Sequence, residues 1–122
     1  MAAGTANLIC EQGATFDTSV TYADENGTAV NLTTYNARMD IRFAATKEAD
    51  LVLRLTNANG RATISNPSGG VVRLLIGSTD TEALVAGVYF YDLELFTIDS
   101  TNPPRVVRLI KGKFTVNAEI TG

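Results

Sequence analysis

Histidine and tryptophan are absent from the chain, and cysteine occurs once, at Cys10. Without histidine the commonest general base and metal ligand is missing, and so is every nucleophile triad built on an imidazole. A single cysteine cannot close an internal disulfide, which argues against a disulfide-stapled secreted scaffold, and alone it cannot build a cysteine/histidine zinc site. The expected home is a reducing cytoplasm, or a particle assembled in one. No apolar run approaches the ~20 residues of a membrane helix, and Met1 to Ala6 lack the basic start and apolar stretch of a signal peptide. The ten basic residues stand mostly singly in a chain of net charge −3 and pI ≈ 4.8, so neither nucleic acid nor membrane is an expected partner.

What is present is a globular balance: 45% apolar and 19% charged residues in 122. That length suits one domain, 1–122, which buries roughly two-thirds of the surface its unfolded chain exposes. Met1 to Ala6 and Thr121-Gly122 fall outside the core pattern, free to be loose or to reach a neighbour; residues 1–6 read as a flexible arm.

Short apolar-alternating runs separated by turn signals indicate an all-β sandwich or barrel. Asn7 to Gln12 places Leu8 and Cys10 on one face and Ile9 on the other. Ala14 to Tyr22 follows, with Phe16, Val20 and Tyr22 on its even face. Asp24-Glu25-Asn26-Gly27 is a hairpin signal, since Asn-Gly tolerates positive φ, and Ala29 to Leu32 is the expected return strand. Ala37, Met39, Ile41 and Phe43 alternate with Arg38, Asp40 and Arg42, a period-2 pattern incompatible with an amphipathic helix.

Leu51, Leu53 and Leu55 alternate with Val52, Arg54 and Thr56. Ala62 to Ser65 and Val71 to Ile76 read as two further strands. The one helix candidate is Ser78 to Leu84, with Thr79 and Glu82 at capping-box spacing and Gly87 as a left-handed terminator. Val88 to Thr97 puts Tyr89, Tyr91, Leu93 and Leu95 on one face. Asp99 to Pro104 must be a loop, because proline cannot continue a ladder. Within Arg105 to Ile120 the phase shifts between Val107/Leu109 and Phe114/Val116, which predicts a β-bulge near Lys111-Gly112.

No catalytic, metal or cofactor constellation emerges. Asp92 and Glu94 share a strand face, where a solvated pair is the plainer reading than a glycosidase-type carboxylate pair. Asp24, Glu25 and Asn26 read as a turn before a calcium loop. Cys10 has no basic neighbour to activate it and reads as a buried thiol. Tyr89, Phe90 and Tyr91 could stack on sugars or bases, although core packing of both tyrosines, with Phe90 opposite, explains the pattern. Arg38, Arg42, Arg54, Arg73 and Arg108 lie opposite the apolar faces, placed for cross-strand pairs with Asp40, Asp92 and Glu94. Val52, Val71, Leu75, Val88, Phe90 and Phe96 add apolar surface on the same side, to be covered by another chain or by this domain's own loops.

Three segments together resemble a known family. They are Ala6-Asn7-Leu8-Ile9-Cys10-Glu11-Gln12-Gly13-Ala14-Thr15-Phe16-Asp17, then Val30-Asn31-Leu32-Thr33-Thr34-Tyr35-Asn36-Ala37-Arg38-Met39-Asp40-Ile41-Arg42. The third joins Ala86-Gly87-Val88-Tyr89-Phe90-Tyr91-Asp92-Leu93-Glu94-Leu95 to Val107-Arg108-Leu109-Ile110-Lys111-Gly112-Lys113-Phe114-Thr115-Val116. Over nearly its whole length the chain is similar to small bacteriophage and prophage proteins, in particular the immunoglobulin-like amino-terminal domain of phage baseplate upper proteins. The resemblance implies an immunoglobulin-like antiparallel β-sandwich with one short helical turn. It also implies a structural virion protein of tail or baseplate, assembled in the bacterial cytoplasm, which docks on other virion proteins and self-associates.

No catalytic motif carries over from that family. The contact residues expected are Leu8 and Ile9 on the edge strand near the start, exposed Phe90 and Phe96, and Asn102, Pro103 and Pro104 in the 99–104 loop. A capsid decoration protein, or a carbohydrate- or receptor-binding module using Tyr89 or Phe90, are the alternatives.

Overall fold

Alternation of apolar and polar side chains does most of the folding work, because a strand that buries every second residue needs a partner layer for that face. The computed structural model describes residues 4–97 and 104–121. In chain order the elements are β1 (Gly4–Thr5), β2 (Leu8–Glu11), β3 (Phe16–Thr21), β4 (Tyr35–Arg42), β5 (Leu51–Thr56), β6 (Ala62–Asn66), β7 (Val71–Ile76), α1 (Ser78–Glu82), β8 (Gly87–Thr97) and β9 (Val106–Asn117).

They form two sheets. The larger is ordered β1-β9-β8-β4-β5, with β2 also pairing β9; the smaller is β3-β7-β6. The chain crosses between layers at β2→β3, β3→β4, β5→β6 and β7→β8, the interleaving of an immunoglobulin-like sandwich, and neither sheet closes into a barrel. Both β1 and β2 run parallel to β9, while every other pairing is antiparallel.

The core is what the inward faces supply. Met39 and Ile41 from β4, Leu55 from β5, Val72, Leu74 and Ile76 from β7, and Leu93 and Leu95 from β8 are all fully buried. Each such side chain contributes about 1.5–3 kcal/mol on leaving water. Phe16 of β3 meets Phe114 of β9 edge to face at 5.3 Å, tying the two layers together. Cys10 is buried, and that burial, with Glu11 beside it, raises its thiol pKa.

Several sequence expectations are corrected. The return strand Ala29 to Leu32 is reduced to one bridge, Ala23 to Ala29. Leu32 instead drops into the core, its N–H donating to the carbonyl of Pro67. The preceding turn has positive φ at Gly27 but not at Asn26, because the Asp24 carboxylate organises it by accepting from the N–H groups of Asn26 and Thr28 at 2.9 Å. Phe43 lies beyond β4 and is exposed, resting its ring against Tyr89. Leu51 is exposed too, since the register slips between Ile41 and Arg42 and leaves Val52 as the extra residue.

The helix lacks the Thr79–Glu82 capping box; Gly77 is its N-cap, with no side-chain cap. Gly87 does not end it, but opens β8. The residue that anchors α1 is Thr81, fully buried, whose hydroxyl donates to the Ala14 carbonyl at 2.8 Å and accepts from the Gly13 N–H at 3.1 Å. The phase break in the last strand exists, but its extra residue is Leu109, earlier than Lys111-Gly112: Leu93 pairs with Ile110 and Glu94 with Arg108. Gly112 itself sits within the ladder opposite Tyr91. There the chain crosses over it between β1 and β2, so closely that a Cβ on Gly112 would lie 2.1 Å from the Ala6 carbonyl oxygen. Of the expected arm, Gly4 and Thr5 are paired to β9 rather than loose.

Candidate docking face

Because β4, β5, β8 and β9 bury alternate residues, their other side chains share the outer face of the larger sheet, and pairing register sets them in rows. Arg54, Asp40, Asp92 and Lys111 form one row across β5, β4, β8 and β9. Arg38, Glu94 and Arg108 form the next, and Arg42, Phe90 and Lys113 lie on the other side. Three carboxylates thus occupy the middle of the face, ringed by cations.

Ion pairs stitch the rows together. Arg54 grips Asp40 with two hydrogen bonds, at 2.7 and 3.0 Å, and Arg42 adds a third at 2.9 Å. Hydrogen bonding to Arg54, with help from Arg42, holds the Asp40 carboxyl below its ordinary pKa. Arg108 bridges Asp92 at 3.0 Å and Glu94 at 2.8 Å, and its own pKa rises chiefly through the charge of Asp92. Arg38 reaches Glu94 at 3.0 Å while its guanidinium lies 4.6 Å from the centre of the Phe96 ring. Bidentate and stacked arginines of this kind fix geometry, although each exposed pair contributes little stability by itself. The fifth arginine of the expected set, Arg73, pairs with Asp17 on the smaller sheet.

The predicted cross-strand pairs of Arg38, Arg54 and Arg108 are therefore in place, whereas Arg42 pairs with Asp40 along its own strand and Arg73 with Asp17. Six of the ten basic residues (Arg38, Arg42, Arg54, Arg108, Lys111, Lys113) share this face with Asp40, Asp92 and Glu94, in a protein of net charge −3. Lys111 and Lys113 were not singled out from sequence. Nothing in their local spacing places them beside Arg42; the long-range pairing of β4 with β8 and β8 with β9 does.

Two open grooves flank the carboxylates. One, of about 550 Å³, runs along Arg38, Arg54, Thr56 and Phe96. The other, of about 740 Å³, lies between the 44–47 loop and the β1–β2 crossing, with Phe90 and Lys113 in its lining. Arg42 braces that loop by donating to the Ala49 carbonyl at 2.8 Å.

The expected contact residues divide. Ile9 is 62% exposed and Val88 53%, in one row with Thr115 between them. Leu8 turns inward and is partly buried against the core. Phe90 and Phe96 are half-buried rather than exposed, and the Arg38 guanidinium lies over the Phe96 ring. Pro104 is exposed, whereas Asn102 and Pro103 lie outside the described residues. Tyr89 is buried, with its hydroxyl donating to the Val85 carbonyl, so it presents no ring to a sugar. Asp92 and Glu94, the one carboxylate pair of interest, are both held by Arg108. Among the described residues no group of three metal-ligating side chains converges, and no helix is long and apolar enough to cross a membrane. Neither the scan against protein-family models nor the search of curated proteins found a match to this chain.

Proposed function

We propose that the chain is a structural component of a bacteriophage virion, a tail or baseplate protein that acts by docking on other virion proteins and on copies of itself. The observation that carries the docking half of this reading is the outer face of the larger sheet. It is uncovered by any layer of the chain's own described residues, and it is patterned with ion-paired arginines, two grooves and flanking Ile9 and Val88. A face of this kind specifies orientation and partner by charge while leaving apolar spots to be desolvated on contact. The virion half rests on the likeness of the three sequence segments to phage baseplate proteins.

Mass spectrometry of purified particles, separated into heads and tails, tests the reading. Recovery with tails is the expected result. Recovery with heads would favour the decoration-protein alternative, and absence from both would overturn a virion role. Light scattering behind size-exclusion chromatography tests self-association: a discrete oligomer supports it, and a monomer at every concentration removes it.

A further inference from the structure

The larger groove has a charge imbalance that its neighbours do not neutralise. Its carboxylates are engaged, Asp40 by Arg42 and Arg54, and Asp92 and Glu94 by Arg108. Lys47, Lys111 and Lys113 also line it, and among the described residues none of the three forms an ion pair. A concave site lined by one sign of unpaired charge concentrates field and attracts the opposite sign. At about 740 Å³ the groove is within the size range of ligand clefts.

The order of side chains narrows the ligand. Arg42, Phe90 and Lys113 lie in one row on three adjacent strands, so a cation stands on each side of a half-buried aromatic ring. Adjacent strands are about 4.8 Å apart, which puts the two cation-bearing strands roughly 10 Å from each other. An extended peptide spaces side chains of one face about 6.6–7 Å apart. Two acidic residues flanking an apolar one, each separated by a spacer, therefore reach both cations with the apolar group over Phe90. Lys111, two residues along β9, accommodates a further carboxylate.

We propose that this groove binds an extended acidic segment of a partner virion protein, with an apolar side chain on Phe90 and carboxylates on Lys111, Lys113 and the Arg42 donors that Asp40 and the Ala49 carbonyl leave free. This rests on the docking function proposed above. It names the chemistry of the partner.

The test uses the full chain and a fluorescent peptide alternating Asp and Ser about a central Phe, read by anisotropy at low and physiological salt. Saturable binding that weakens with salt is expected. The double variant Lys111→Glu/Lys113→Glu should lose about tenfold or more in affinity. Exchanging the central Phe of the peptide for Ser should also weaken binding. Arg73→Glu, on the opposite sheet, should leave it unchanged. Far-ultraviolet circular dichroism verifies that the double variant is folded, and Lys47→Glu replaces it if it is not.

Absence of saturable binding overturns the proposal, as does equal loss in Arg73→Glu. Equal competition by inorganic phosphate overturns it too, since the groove would then be a general anion trap. If the peptide does not bind and the double variant abolishes an oligomer instead, the occupant is a second copy and the proposal fails. Tails that assemble normally with the double variant would overturn the acidic-segment proposal while leaving the tail assignment standing.

Discussion

Asp40 of β4 and Asp92 of β8 stand directly opposite each other on the outer face of the larger sheet. Like charges at facing positions destabilise a ladder, and here arginines on both sides offset the repulsion. Arg54 and Arg42 hold Asp40, and Arg108 holds Asp92. Removing Arg108 should reveal the repulsion. Arg108→Met is expected to lower stability by about 0.5–1 kcal/mol, a modest figure because the pair is half-exposed and screened. Adding Asp92→Asn should restore most of it, a coupling measurable in a double-mutant cycle of urea midpoints. Additive losses would mean that the facing carboxylates do not repel appreciably.

Acid should weaken the same face. Hydrogen bonding to Arg54 lowers the pKa of Asp40 in the folded protein, so the unfolded chain takes up this proton at a higher pH than the folded one does. The stability it contributes is complete above about pH 4, the ordinary aspartate value, and is lost as pH falls through the lowered folded value. Asp40→Asn should lower stability at neutral pH by roughly 1–3 kcal/mol, because two arginines lose a charged acceptor. It should also flatten the acid limb of a plot of urea midpoint against pH. Identical acid limbs in the two proteins would show that other carboxylates govern it.

Tyr91 makes the opposite prediction at high pH. Burial pushes its pKa up to about 12, while its hydroxyl donates to the Ala6 carbonyl at 2.7 Å. A raised folded pKa means stability that is fully present below about pH 10 and declines as pH rises toward 12. Absorbance titration of phenolate should show a late-ionising component from Tyr91. In Tyr91→Phe that late component should vanish, along with part of the alkaline loss of stability. A late component that persists would have to belong to another tyrosine.

Gly112 is where β9 yields to the chain crossing above it. A Cβ there would meet the Ala6 carbonyl oxygen at 2.1 Å, closer than van der Waals contact permits. Gly112→Ala should cost about 2–4 kcal/mol and loosen the first strands. Hydrogen exchange should report lost protection at Ala6, whose N–H donates to the Lys111 carbonyl at 3.0 Å. Gly77→Ala, with nothing within 4 Å of the added methyl, serves as the mild comparison. Equal effects of the two substitutions would deny the crossing its special tightness.

Thr81 joins α1 to the turn between β2 and β3 through one buried hydroxyl. Thr81→Val keeps the shape but strands the Gly13 N–H and the Ala14 carbonyl. The expected loss is about 1–3 kcal/mol, against less than ~0.5 for the exposed Thr79→Val. Comparable midpoints for the two variants would show that water satisfies those groups.

How far the sequence reached depended on whether a feature is local. In β4 and β8, three or four apolar residues in strict alternation left no other structure available, and Met39, Ile41, Leu93 and Leu95 are core as expected. The inserted residue in β9 was also visible as a phase break. Its position was not, because Leu109 is the unpaired residue only by virtue of what β8 places opposite it. The return strand after Gly27 failed for a related reason: Leu32 gains more from the core and the Pro67 carbonyl than from a hairpin ladder. Thr79 and Glu82 have capping-box spacing, yet the buried environment next door engages Thr81. The basic outer face was least legible of all. Arg42, Lys111 and Lys113 are scattered along the chain, and only register brings them together.

The parallel pairing at the sheet edge has a mechanical consequence. Gly4 lies beside Ile110 and Glu11 beside Asn117, so β1 and β2 start at one end of the edge and β9 finishes at the other. Tension applied between Gly4 and Asn117 would therefore slide the first strands along the last. All the register pairs from Gly4–Ile110 to Glu11–Asn117 would share that load together, in shear, rather than opening one after another like a zip. A domain threaded this way can stand in line between two pulling neighbours and carry force along its strongest direction.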